Sequence, residues 1–152
     1  IVTLLVDEAQ QLSVSNLEML RALLNYETHD TKLLQLILMA QVEFLPTLRT
    51  IRNLWDRMSL KYVLNPLDEQ ETKDLMAFRL RQAGFTDRRP LFTDEAIHEI
   101  YETTQGYPRR IALLCHDALE RLVMESQPTV SAALIRALVA HERDVQLAHV
   151  TA

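Results

Sequence analysis

The chain has 152 residues, 48% hydrophobic and 24% charged, a composition that excludes a disordered, collagenous or mucin-like polypeptide. Two glycines and five prolines are too few for a turn-dense all-β sandwich, and one cysteine excludes a disulfide framework or a four-cysteine zinc site. Sixteen Lys and Arg against 21 Asp and Glu leave a net charge of −5, so no global basic field draws nucleic acid or anionic lipid.

Ile1–Val6 is a continuous apolar, β-branched run, which predicts a strand buried on both faces. It is too short to span a membrane and lacks the basic flank of a signal peptide, so no membrane contact is expected from it. A chain that opens in mid-strand reads as a piece of a longer protein. Ser15-Asn-Leu-Glu18 has the form of a capping box and predicts a helix with Leu17, Leu20 and Leu24 inward, ending near Glu27–Asp30. Lys32–Ala40 encloses a second apolar run and predicts a second strand. Pro46 suits a first helical turn, and Leu48, Ile51, Leu54 or Trp55, and Met58 recur at helical spacing through Arg57. Leu60–Leu64 alternates well enough to predict a third strand, closed by Asn65-Pro66.

Beyond Pro66 the pattern is helical throughout. Asp68-Glu-Gln-Glu71 caps a helix running to Gly84. Thr93-Asp-Glu starts a second that ends at Gly106, and Pro108 starts a third. Ser131 caps a fourth, carrying Leu134, Ile135, Leu138 and Val139. Strands alternating with helices predict a parallel sheet, and the helix run after them predicts a separate subdomain. The expected fold class is thus α/β: a partial parallel sheet of about three strands over residues 1–65, then an all-α four-helix subdomain over 66–152.

Four elements carry possible chemistry. Leu4-Leu-Val-Asp7-Glu8 is the Walker B arrangement, in which a buried strand delivers two carboxylates at its carboxyl end, where α/β sheets bind ligands. Asp7 is suited to holding a Mg²⁺ that bridges nucleotide phosphates, and Glu8 to polarising the attacking water; the plainer reading is two solvated acids. Gln41 ends the second apolar run, where a neutral amide can orient water or touch a phosphate, though strand ends often carry such residues idly. Arg57 closes the helix that begins at Pro46, and alone reads as a cation facing the helix dipole. Arg109 in Gly106-Tyr-Pro-Arg109 sits in a first helical turn, where a cation opposes the dipole and an anionic ligand would supply a reason for it. His29, His98, His116, His141 and His149 show no ligand spacing with Cys115, which lies on an apolar helical stripe and reads as core. Arg88-Arg89 and Arg109-Arg110 read as a solvated face more readily than as a nucleic-acid patch.

Taken in order, these elements resemble the AAA+ ATPases, and more narrowly the bacterial secretion-ATPase branch of the ExeA/GspA type. The phrases that carry the resemblance are Leu5-Val-Asp-Glu-Ala-Gln10, Leu20-Arg-Ala-Leu-Leu-Asn25, Leu36-Ile-Leu-Met-Ala-Gln41, Leu64-Asn-Pro-Leu67, Arg79-Leu-Arg-Gln-Ala-Gly84, Leu91-Phe-Thr93, and Gly106-Tyr-Pro-Arg109 followed by Leu114-Cys115. The resemblance implies that Asp7 and Glu8 are the Walker B acids and Gln41 the sensor 1 residue. It implies that Arg57 is the arginine finger reaching a neighbouring subunit's nucleotide, and Arg109 the sensor 2 arginine of a helical lid. ATP and Mg²⁺ are the implied cofactors of the complete protein. A homo-oligomer is implied, with a cell-envelope or secretion protein as partner and a cytoplasmic ATPase face.

Three departures accompany it. The family usually writes Gly-Gln-Pro where this chain has Ala40-Gln41-Val42, and tends to show Asn where this chain has Ala112. No Gly-x-x-x-x-Gly-Lys-Ser/Thr occurs, and the only glycines are Gly84 and Gly106. In the family that phosphate-gripping loop lies upstream of Walker B, so this chain alone is expected to be inactive. The alternatives are an AAA+ regulator of DNA transposition, with nucleic acid as partner, and a non-catalytic helical interaction module.

Overall fold

The computed structural model describes residues 1–29, 31–87 and 89–150, with side chains described through Glu142. Asp30, Arg88 and the side chain of His149 lie outside the described residues. Among the described residues the fold is α/β, with a two-stranded parallel sheet and seven helices, arranged as two compact units, Ile1–Leu64 and Asn65 onward.

In the first unit, β1 (Val2–Val6) pairs in parallel with β2 (Leu34–Leu38), with Leu4 opposite Leu36 and Val6 opposite Leu38. A parallel pair needs a long crossover, and here it runs through α1 (Val14–Leu23). The cap of α1 is Ser13, whose Oγ accepts the Asn16 N–H at 3.2 Å, and not Ser15. Glu18, expected in a capping box, instead pairs with Arg21 one turn on at 2.5 Å, and α1 stops at Leu23, short of Glu27. The helix expected from Pro46 to Arg57 is two, α2 (Leu45–Thr50) and α3 (Arg52–Trp55), broken at Ile51 with ψ 70°. Leu48, Ile51 and Leu54 all enter one core with Ala9, Leu17 and Phe44. Val6 and Leu38 bring one face of the sheet onto that core.

Two expectations about the sheet are corrected. The strands are not buried on both faces: Leu5 and Ile37, neighbours on the opposite face, are 54% and 47% exposed. Leu60–Leu64 is not a strand. It has no regular secondary structure, with Leu60, Tyr62 and Leu64 at least 79% exposed, because a strand exists only through a hydrogen-bonded neighbour and none adjoins it among the described residues. What holds its start is Lys61, whose ammonium lies 4.6 Å from the Trp55 ring centroid and donates to the Met58 carbonyl at 2.9 Å.

The second unit is built from α4 (Glu69–Gln82), α5 (Asp94–Thr104), α6 (Pro108–Met124) and α7 (Ala132–Val150). The start of α4 is a complete capping box: Asp68 accepts the Glu71 N–H at 2.8 Å, and Glu71 accepts the Asp68 N–H at 2.9 Å. Thr93 caps α5 through the Ala96 N–H at 3.2 Å, and Ser131 caps α7 through the Leu134 N–H at 3.4 Å. Helix α5 packs against the other three, and Ile100, Ile111 and Ile135 are fully buried between them. Each contributes roughly 1.5–3 kcal/mol by leaving water. A parallel bridge between Phe92 and Val130 ties the α4–α5 link to the α6–α7 link. No described helix is long and apolar enough to cross a membrane.

Candidate functional site

The ladder between the two strands continues past their ends. The Met39 N–H donates to the Val6 carbonyl at 2.9 Å, and the Ala9 N–H donates to the Met39 carbonyl at 2.9 Å. Ala9 is completely buried, so the chain turns sharply into a short 3-10 turn (Ala9–Gln11), and Asp7 and Glu8 are left at the carboxyl edge of the sheet. A second 3-10 turn (Val42–Phe44) starts beside it, with Gln41 as its cap. The structure thus brings three sequence-predicted residues, Asp7, Glu8 and Gln41, to the same edge.

Local backbone chemistry sets their orientation. Asp7 Oδ1 accepts the Glu8 N–H at 2.8 Å, which fixes its carboxylate and leaves Oδ2 for another ligand. Glu8 has φ 52° and ψ 38°, the left-handed region. A non-glycine residue there carries strain of roughly 1–2 kcal/mol, and such strain gathers at functional sites. All three side chains are exposed. Gln10, not singled out as a site residue from the sequence, sits among them: its Nε2 donates to Glu8 Oε2, and its Oε1 accepts the Gln41 N–H at 3.3 Å. The signal available in the sequence was an amide two residues after an acid pair.

Arg57 is elsewhere in this unit. Its Nη1 donates to Asn25 Oδ1, just past the end of α1, and among the described residues no hydrogen bond or ion pair joins it to Asp7, Glu8 or Gln41. Asn25 was likewise not singled out as a site residue.

In the second unit, Arg109 lies in the first turn of α6. Two successive left-handed residues, Gln105 (φ 53°) and Gly106 (φ 73°), reverse the chain into Pro108. That helix start has no side-chain cap and no acidic residue in its first turn. Arg110 is occupied, donating from Nη2 to the Thr103 carbonyl at 2.9 Å. Arg109 makes no side-chain hydrogen bond or ion pair among the described residues. No cluster of three or more metal-binding side chains is present among them either. Both glycines lie in the second unit, so the first carries no glycine loop to cradle phosphate.

Two acids and an amide lie at the carboxyl edge of adjacent parallel strands in an α/β protein, the edge at which open α/β sheets bind ligands. The chain is 42% identical over 117 residues, 76% of its length, to General secretion pathway protein A of Aeromonas hydrophila, an ExeA/GspA-like relationship. It is 28% identical over 97 residues, 62% of its length, to an uncharacterized HTH-type transcriptional regulator of Methanocaldococcus jannaschii. The chain spans 21% and 23% of the length of these two relatives. No family model matches the chain.

Proposed function

We propose that this chain is part of an AAA+-type ATPase that serves a secretion or cell-envelope system, its residues 66–152 forming the helical lid. The observation that carries the reading is the meeting of Asp7, Glu8 and Gln41 at one edge of the sheet, supported by the likeness to General secretion pathway protein A. In this reading Asp7 holds Mg²⁺ through the oxygen not engaged by the Glu8 N–H. The cation, bound with ATP, supplies charge neutralisation at the phosphates. Glu8 polarises the attacking water and accepts its proton, while the Gln41 amide orients that water without adding charge. Arg57 acts on the nucleotide of a neighbouring copy in a homo-oligomer, where a guanidinium stabilises charge spread over the transferred phosphoryl oxygens. Arg109, unpaired among the described residues at a helix start without a side-chain cap, contacts phosphate from the lid. The site faces the cytoplasm. Because the chain holds no phosphate-gripping loop, it binds Mg-ATP more weakly than micromolar when alone and does not turn it over.

A second reading is an AAA+ regulator of DNA transposition, and the HTH-type transcriptional regulator among the relatives points to DNA as a partner. The net charge of −5 weighs against DNA contact by this region. The test of the first reading is Glu8→Gln in the complete protein. ATP binding should persist, since Asp7 is untouched, and hydrolysis should vanish; hydrolysis that survives would remove Glu8 from the role of base.

A further inference from the structure

We infer that Gln10 is a positioning residue that ties the Glu8 carboxylate to the backbone at Gln41, an inference that rests on the hydrolytic reading above for its kinetic consequence. Gln10 is held by its own turn, whose first residue, Ala9, is buried and bonded to Met39. Its side chain is half-buried and uses both ends. Nε2 donates to Glu8 Oε2, and Oε1 accepts the Gln41 N–H at 3.3 Å. These neighbours fix which way the amide points. A carboxylate only accepts and a backbone N–H only donates, so a flipped amide would set acceptor against acceptor and donor against donor.

The nearest replacements in size do not do both at this reach. Glutamate has no donor when ionised, methionine offers neither group at similar volume, and asparagine is one methylene short. The tie joins a residue of left-handed backbone, Glu8 at φ 52°, to the turn that follows it. With Oε2 engaged, Oε1 is the oxygen left to face water. Glu8 and Gln41 then move as one body, and loosening the tie misplaces the base relative to the amide, an error worth on the order of 10²-fold in rate for a displacement of about 1 Å.

Two measurements test this. In the 152-residue chain, Gln10→Ala and Gln10→Met should both move the Gln41 backbone amide resonance toward its solvent-exposed position and speed its hydrogen exchange. An unmoved Gln41 amide overturns the tie, whether or not the complete protein hydrolyses ATP, so failure of the tie and failure of the hydrolytic reading give different results. In the complete protein, both variants should lower kcat by about 10–100-fold with KM for ATP unchanged, and add nothing to the loss caused by Glu8→Gln. Restoration of kcat by Gln10→Met would reduce Gln10 to a packing residue and overturn the positioning role.

Discussion

The Leu67 N–H donates to the Gly106 carbonyl at 2.9 Å, and the two backbones approach so closely that a Cβ on Gly106 would lie 1.8 Å from the Leu67 oxygen. This contact fixes the turn that launches α6 and with it the position of Arg109.

Gly106 and Gly84 should therefore differ sharply. Both have positive φ, 73° and 83°, but Gly84 has nothing within 4 Å of its would-be Cβ. Gly84→Ala should cost about 1 kcal/mol, the backbone strain alone. Gly106→Ala must also displace the Leu67 backbone and should cost at least about 3 kcal/mol. Urea denaturation of the two variants checks this, and equal losses would mean the Leu67 approach is not made.

Cys115 should behave as a protected thiol. Burial pushes its pKa up from 9.0 to about 12, with the Arg79 guanidinium pulling it partly back. The folded state therefore resists forming the thiolate, the species that reacts. Alkylation by iodoacetamide at about pH 8 should be slow and should accelerate on addition of denaturant. Because the folded pKa is the higher one, the associated stability is intact below about pH 9 and is lost as pH rises toward 12. The fall should be smaller in Cys115→Ala. A fast native reaction at pH 8 would place the thiol in water.

The features legible in the sequence were those decided within a few residues. The capping box at Asp68 and Glu71 closes on itself, and Thr93 and Pro108 start their helices as their chemistry requires. Ser13 and Ser15 show the limit of that logic, since each stands three residues before a polar residue and only Ser13 caps the helix. Leu60–Leu64 failed for a larger reason: alternation describes what a strand needs from its surroundings, and no described residue pairs with it. The edge cluster divides the same way. Asp7, Glu8 and Gln41 were visible as polar endings of apolar runs, whereas the Gln10 bridge depends on a 3.3 Å approach between residues 31 apart.

Glu8 should reverse the ordinary order of glycine and alanine. In most settings glycine is less stable than alanine by roughly 0.5–1 kcal/mol. At φ 52° alanine carries the left-handed strain and glycine does not, so Glu8→Gly should be more stable than Glu8→Ala by about 1 kcal/mol. Both lose the carboxylate and its bond from Gln10, so that contribution cancels in the comparison. Chemical denaturation of the first unit measures the difference, and the usual order would show that Glu8 is not held in the left-handed region.

Arg57 offers the sharpest separation between a structural and a catalytic role. Within its own unit its side chain bonds only to the exposed Asn25 side chain among the described residues. If that bond and the dipole of α3 were its whole purpose, Arg57→Ala would cost about 0.3–1 kcal/mol and leave activity intact. An arginine acting across a subunit boundary predicts a loss of about 10³-fold or more in kcat with little change in stability. Mixing decides between them. Arg57→Ala subunits and Glu8→Gln subunits should each be inactive alone, and their mixture should regain part of the activity, because some boundaries then pair an intact Glu8 with an intact Arg57. A mixture that co-assembles and stays inactive would show that Arg57 does not act on a neighbour's nucleotide, and its bond to Asn25 would then be the reason the residue is there.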